Sequence, residues 1–448
     1  MLGVFILLAV ISYLLYHHFI DKRRPYPPGP VPLPFFGNVL QLGTVEPQLQ
    51  LVKWAKQYGP VYTMWLGWQP NVVVTDYHIM KEMLTKQGDV LSGRPDNFNF
   101  HDFRGGRDFG LKGRCGKDFP CSLLIGHTLE KETKFRTLKQ ELDEFVQLSI
   151  KPEVVLVAQY PWLRHLPLFG HFGYDFVNEI KRKLFAFLEK EIADHRSEFD
   201  PNAEPTDYTA AFLKEMHRRE AEGEPTGTFT IWQLTVALLD MWIAGMETTV
   251  TTLKWAILYM ILHPDEQDKC FKEIHNLLQG RPHSKELSMA DRTETPYLCA
   301  TVAEVQRCAN LVTINMQHRN SRDVAVQGFP IPSGTPIVPQ IASVLLDEQL
   351  FPQPEKFQPS RFLTEEEGAE GKTVGLNKEK MEVLIPFSLG KRSCLGESLA
   401  RMELYLIFGS LLQNFRFSIP ESHQRPTMKS IESFLRCPAP YKVAIIRR

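Results

Sequence analysis

The segment Phe387 to Gly396 (FSLGKRSCLG) sets a thiol, Cys394, just before an apolar-periodic stretch marked by Leu399, Met402 and Leu406. The partial positive charge of a helix N-terminus lowers a thiol pKa and favours thiolate. Gly390 and Gly396 flank the cysteine, so the backbone can turn tightly and approach a flat ligand closely, and Arg392 adds a cation. A thiolate presented in this way can serve as an axial ligand to haem iron. A buried cysteine beside a helix cap is the other reading of the same residues.

Two further strings bear on chemistry. Ala244-Gly245-Met246-Glu247-Thr248-Thr249 interrupts a very apolar stretch containing Leu234, Val236, Leu238, Leu239 and Trp242. A carboxylate in a buried helix costs free energy unless it is paired or functional, and Gly245 leaves bare backbone where a small ligand can approach. Glu304 and Arg307 stand three residues apart in a helical pattern. By itself that spacing describes a solvated surface pair worth about 0.2–0.5 kcal/mol.

These residues need elements to hold them. Thr230 to His263 reads as a 34-residue helix ended by Pro264, 296–309 as the helix under Glu304, and Gly396 to Asn414 as the helix behind the cysteine loop. Helices are also predicted over Gln48 to Gln57, Tyr77 to Lys86, 136–148, 174–198, 206–222 and 265–279. Val61 to Leu66 and Asn71 to Thr75 read as short strands, 323–340 as strand–turn–strand, and 93–121 and 347–380 as mostly irregular. The fold class is mainly α with a minor β-sheet region, in one large domain. Hydropathy alone would also allow the long helix to be a second membrane span, but Asp240, Glu247 and Lys254 oppose that.

Composition excludes several classes. Of 448 residues, 23% are charged and 43% apolar, which is ordinary globular usage and excludes a disordered or collagen-like chain. Lys plus Arg number 51 against 52 Asp plus Glu, which lacks the electrostatic footprint of a nucleic-acid binder. Seven cysteines without a C-x-x-C pair suit reduced thiols in a cytosolic setting better than a disulfide framework or zinc ribbon.

Leu2 to Ile20 carry no formal charge, and Lys22, Arg23 and Arg24 follow at once. At about 1.5 Å per residue this run nearly spans a ~30 Å hydrocarbon core. The positive-inside rule then puts the bulk of the chain in the cytosol. Residues 1–20 are thus expected to be a transmembrane anchor, 21–34 a basic, proline-rich spacer holding the domain off the bilayer, and 35–448 the catalytic domain. A cleaved signal peptide and an SH3-type ligand are the alternative readings of the run and of the proline stretch.

The cysteine segment resembles the haem-binding loop of the cytochromes P-450, F-x-x-G-x-R-x-C-x-G, at every fixed position: Phe387, Gly390, Arg392, Cys394 and Gly396. The Ala244 to Thr249 string is similar to the family's A-G-x-[DE]-T-[TS] oxygen-binding motif. Glu304 and Arg307 resemble its E-x-x-R pair, and Pro354 to Phe362 its meander. The likeness is to the microsomal, drug-metabolising branch, with phrases such as Asn99 to Arg107 similar to nematode members. The resemblance implies a haem-thiolate fold with an N-terminal transmembrane anchor and haem b ligated axially by Cys394. It implies that Arg392 and His318 meet haem propionates, that Phe387 packs beside the sulfur, and that Gly245 borders the oxygen site. Thr248 would hydrogen-bond bound dioxygen and Glu247 relay protons to it. Glu304, Arg307 and Arg361 would form a buried structural triad. Phe98, Phe100, Phe103, Asp240, Val312 and Phe434 fall where substrate-contacting segments lie.

The implied activity is insertion of one oxygen atom from O2 into a small lipophilic substrate, such as a xenobiotic, steroid or fatty-acid-like molecule. Electrons would come from NADPH through cytochrome P-450 reductase, with cytochrome b5 as a further donor, at the cytosolic face of the endoplasmic reticulum membrane. One family feature is missing. None of the seven Trp has an Arg four residues on, so the C-helix W-x-x-x-R pattern is absent. The likeness fades after about Phe109 and returns near Phe135. An internal deletion around 110–135 is expected, and with it the alternative of a non-catalytic or defective haem- or lipid-binding isoform.

Overall fold

The 32-residue helix Ile231–Leu262 runs through the core, and its apolar side chains are covered on most sides by protein. Thr230 is its N-cap, accepting a hydrogen bond from the Gln233 backbone N–H, and His263 its C-cap before Pro264, so the ends of the predicted stretch are its caps. The computed structural model describes residues 2–43, 46–95, 133–148, 151–167, 170, 174–279, 281, 286–368, 371–431 and 433–448. The expected deletion region lies almost wholly outside them, as do Phe98, Phe100 and Phe103.

Against this axis pack helices Asp175–Ser197, Pro264–Gln279, Pro296–Ala309 and Glu397–Asn414. Their boundaries follow local chemistry. Asp76 and Asp207 cap the helices Tyr77–Lys86 and Tyr208–Ala221 through their carboxylates, and Pro264 and Pro296 start the next two. Where irregular chain was expected over 347–380, Leu363–Gly368 and Gly371–Leu376 pair antiparallel and Lys378–Val383 is helical.

The main sheet joins distant parts of the chain. Strands β1 (Val61–Leu66) and β2 (Gln69–Val74) form a hairpin, and Gly67 in the turn has φ +59°. Strand β3 (His318–Arg319) lies at the far edge, β4 (Val324–Val326) and β5 (Phe329–Ile331) make a separate hairpin, and β6 (Pro336–Pro339) lies between β2 and β3. Val72 pairs with Ile337 in parallel, and Ile337 with His318 antiparallel. This register fixes His318 inside the fold.

The N-terminal run is helical, and the proline segment packs on the domain. The first helix is Leu2–Phe19, 18 residues or about 27 Å at 1.5 Å per residue. Among the described residues no helix is long and apolar enough to cross a membrane. The proline segment also does not stand free. Pro27, Gly29, Pro30 and Pro32 are buried, and the Thr63 N–H donates to the Pro28 carbonyl at 3.1 Å. A Cβ at Gly29 would come within 2.0 Å of the Thr63 oxygen, so glycine permits this close approach to β1. Proline has no N–H to leave unsatisfied, which suits it to lie along an edge strand.

Candidate functional site

The cysteine loop closes on itself. The Cys394 N–H donates to the Phe387 carbonyl at 2.8 Å, and a short 3-10 turn spans Gly390–Arg392 between them. Gly390 has φ +76°, and a Cβ there would sit 2.2 Å from the Leu84 carbonyl oxygen of the neighbouring helix. No other residue type fits that position without moving the loop. Gly396 is the N-cap of Glu397–Asn414. The Arg401 guanidinium stacks over Phe387 at 4.9 Å while bonding Glu397 at 2.8 Å, which pins the aromatic ring beside the loop.

The thiol itself departs from expectation. Cys394 is solvent-accessible, yet surrounding protein raises its pKa above the ordinary thiol value. Desolvation is the main cause. A hydrogen bond from the Gly396 backbone lowers the pKa, as a helix start should, and the Glu397 carboxylate raises it again. Burial therefore outweighs the helix terminus.

Two residues before the cysteine, Arg392 Nε donates to the Ser92 carbonyl at 2.7 Å. Arg94, which sequence reasoning missed, donates through Nη1 to the carbonyls of Gln317 at 2.7 Å and Met316 at 3.3 Å. His318 is buried, with Nδ1 donating to the Leu91 carbonyl at 2.8 Å. That bond fixes the tautomer, with no proton on Nε2. Burial, reinforced by Arg94 and Arg392, pushes the His318 pKa down to about 4. Burial and Arg392 likewise push Arg94 down to about 10. Three cation-capable side chains thus converge, and among the described residues no carboxylate bonds any of them. Such a cluster suits an anionic group. Haem carries two carboxylates, so the residues fit it. The only local hint of Arg94 was the Gly93-Arg94-Pro95 run; its placement comes from Gly93 bridging Arg319 at the end of β3.

On the long helix, Ala244 and Gly245 are exposed within an otherwise covered stretch, and a Cβ on Gly245 would meet nothing within 4 Å. Thr248 Oγ1 donates to the Ala244 carbonyl at 2.7 Å. Thr249 Oγ1 donates to Glu403 Oε2 at 3.2 Å, tying this turn to the helix behind Cys394. Glu247 is buried and forms an ion pair with Lys139 at 2.9 Å, and Lys139 also holds Asp143 at 2.8 Å. Burial raises the Glu247 pKa, Lys139 opposes this, and Asp143 adds to it. Glu247 and Thr248 are neighbours in sequence, but among the described residues no hydrogen bond joins them. Val312 and Phe434 lie on two segments tied to each other: the Phe434 carbonyl accepts from Thr313 Oγ1, and Val312 bridges Leu435.

Away from these residues, Glu304, Arg307 and Arg361 meet in the interior. Arg307 grips Glu304 with two bonds, Nε–Oε2 at 2.7 Å and Nη2–Oε1 at 2.9 Å. Arg361 Nε reaches Oε1 at 3.0 Å and the Gln358 N–H reaches it at 2.8 Å. Arg307 Nη1 also donates to the Leu345 carbonyl. This is a fork-to-fork charge-assisted cluster buried from water, unlike a surface pair.

Comparison with known proteins places this geometry. The chain matches the cytochrome P450 family over residues 27–112 and 113–445, two pieces that abut between Lys112 and Gly113. It is 33% identical to cytochrome P450 2D20 of Mesocricetus auratus, covering 99% of this chain and 97% of that one. It is 31% identical to cytochrome P450 2D3 of Rattus norvegicus over 100% and 98%, and 31% identical to the probable cytochrome P450 CYP36A1 of Caenorhabditis elegans over 99% and 99%. A closed cysteine loop, a cluster of two arginines and a histidine, and a long helix left open at Ala244 and Gly245 thus accompany similarity along almost the full length: the chain belongs to the cytochrome P450 family, microsomal in type, and is a haem-dependent monooxygenase whose family ligates iron through a cysteine thiolate.

Proposed function

We propose that Cys394 is the axial ligand and that Arg392, Arg94 and His318 receive the haem carboxylates. The observation that carries this reading is the convergence of two arginines and the buried, neutral His318 near an accessible cysteine, with no carboxylate bonding them among the described residues. When bound, haem with an axial thiolate supplies dioxygen activation and transfer of one oxygen atom to substrate. The protein's own residues do the rest. Gly245 leaves room beside the long helix, and Thr248 presents a hydroxyl there. Glu247, ion-paired with Lys139 and with its pKa raised by burial, is placed to take up and release a proton beside it. Phe387 shields the sulfur side. Glu304, Arg307 and Arg361 hold the core behind the site. The substrate is a small lipophilic molecule, such as a xenobiotic, steroid or fatty-acid-like compound, and electrons arrive from NADPH through cytochrome P-450 reductase, with cytochrome b5 as a further donor.

The exposed apolar first helix, with Phe5 68% and Tyr13 65% exposed, supports attachment to the endoplasmic reticulum membrane with the domain on the cytosolic face. The test of the ligand assignment is the reduced-CO absorption spectrum. Cys394→Ala should abolish the thiolate-type band, and Cys308→Ala and Cys437→Ala should keep it; the reverse pattern would sink the assignment. Turnover with reductase and NADPH then tests the activity.

A second reading is favoured by one observation: the family match breaks between Lys112 and Gly113, and the alignment with the hamster relative runs to 501 positions against 448 in this chain. A segment around 110–135, where the C helix belongs, is absent, and the chain is then a weakly haem-retaining isoform with poor electron transfer. Inserting a related C-helix segment after Phe109 should raise haem content and turnover. Equal performance without the insert would overturn this reading.

A further inference from the structure

We infer that Glu247 is refilled with protons along a polar stripe of the long helix, through a buried water held by the Thr251 and Ser433 hydroxyls beside Cys437, with its solvent end at Lys254. The inference rests on the reading of Glu247 as a proton carrier and goes beyond it, because it names the path and the residues that supply it.

Spacing sets the stripe. Glu247, Thr251 and Lys254 stand at i, i+4 and i+7 of the largely apolar helix Ile231–Leu262, so they share one face. Glu247 and Thr251 are buried and Lys254 is exposed, so polar groups on that face run from the interior to the surface. Other threonines of this helix bond backward along it: Thr235 to the Ile231 carbonyl, Thr248 to that of Ala244 and Thr252 to that of Thr248. Thr251 instead turns its hydroxyl off the helix, to the Cys437 sulfur at 3.8 Å. A thiol is a weak partner, so this contact leaves the hydroxyl able to bond a better one.

The C-terminal segment covers the stripe. Trp255 Nε1 donates to the Arg436 carbonyl and Tyr441 Oη to the Lys254 carbonyl, each at 2.6 Å, which clamps that segment along the helix. Ser433, just before the clamp, is 2% exposed, and its hydroxyl makes no hydrogen bond of ordinary geometry. The groups meet at Cys437. Burial raises its pKa; Thr251, Lys254 and Ser433 act to lower it and Glu247 to raise it, so all four lie around one sulfur. A buried hydroxyl is costly to leave unbonded, and a water with about 2–4 polar partners is the usual remedy. Thr251 Oγ1, Ser433 Oγ and the Glu247 carboxylate supply such partners. In the refill only O–H bonds change: the water gives a proton to the carboxylate and regains one from solvent at the Lys254 end, and no electrons move.

Time-resolved infrared spectroscopy of the full-length haem-loaded protein tests this without any substrate. Protons are released by a light flash, and the rise of the Glu247 carboxyl band, identified by its loss in Glu247→Gln, gives the rate of protonation. Thr251→Val and Ser433→Ala should each slow that rise roughly tenfold with the final amplitude unchanged. This is below the ~10²–10⁴ for losing an acid–base group itself, because the carboxylate is kept. Thr251→Ser should restore the rate, which a merely structural role would not require. Lys139→Met should leave it within about twofold. Equal rates in the unsubstituted protein, Thr251→Val and Ser433→Ala would overturn the stripe and leave the Glu247 reading standing. Slowing by Lys139→Met alone would route the protons through Lys139 and overturn it as well. The absence of any band removed by Glu247→Gln would sink the proton-carrier reading and the stripe together. Should Thr251→Val fail to fold, Ser433→Ala, which deletes a single oxygen, decides alone.

Discussion

Replacing Arg307 by Ala should cost about 3–5 kcal/mol of stability, the range for breaking a buried ion pair from one side. The figure follows from the geometry. Arg307 and Glu304 are wholly buried, so the carboxylate left behind gains no water to replace the two guanidinium bonds at 2.7 and 2.9 Å. Glu304→Ala should cost at least as much, because it strands two guanidinium groups and the Gln358 N–H together. Arg361→Ala should cost less, about 1.5–3 kcal/mol, since its bond to Glu304 is lost while its bonds to the Pro352, Gln353 and Lys356 carbonyls lie where water can replace them, and the Glu304–Arg307 pair stays neutralised. The double variant Glu304→Ala/Arg307→Ala should cost less than the sum of its parts by about 0.5–3 kcal/mol. Against a domain stability of about 5–15 kcal/mol, the single losses already threaten folding. Urea unfolding of haem-loaded protein, followed by the haem absorption band and by far-ultraviolet circular dichroism, measures all four. An Arg361→Ala cost equal to that of Arg307→Ala, or strict additivity in the double variant, would refute the reasoning that desolvated charge, not bond count, sets the penalty.

Thr248→Ala should raise peroxide released per NADPH consumed with little change in substrate binding, because among the described residues the hydroxyl bonds only its own helix at Ala244, so its loss leaves the packing intact; unchanged coupling would remove it from the proton path. In the haem-free chain, His318 has a folded pKa of about 4 against 6.5 ordinarily, so the unfolded state takes up a proton first, and stability present above pH 6.5 is lost as pH falls towards 4. The loss should approach about 3 kcal/mol and be absent in His318→Phe, as denaturant titrations across that window will show. Gly390→Ala should cost at least about 1–3 kcal/mol for the left-handed backbone alone, before the contact with the Leu84 carbonyl is relieved. It should appear as faster loss of the thiolate-type CO band on mild heating.

Much of the local architecture was legible in the sequence because its causes are local. Thr230 and Pro264 bound the long helix, Asp76 and Asp207 cap theirs, and Gly396 ends the cysteine loop, since caps and prolines act within one turn of the residue concerned. The identities of Cys394, Arg392, Glu304 and Arg307 were readable for the same reason: each sits in a short string with fixed spacing. What lay beyond the sequence is what depends on the surrounding volume. Arg94 reaches the site only because Gly93 bridges Arg319 across the sheet edge. The Cys394 thiol moves opposite to the helix-terminus expectation because desolvation sums over everything packed nearby. Glu247 turns to Lys139, a partner over a hundred residues away. The proline segment lies buried against β1 instead of standing free, because the Thr63 N–H takes its carbonyl as partner. Sequence spacing fixes which groups are available and how the chain turns around them; burial and the charge they meet come from elements that touch only after folding, and these set each group's protonation and partner.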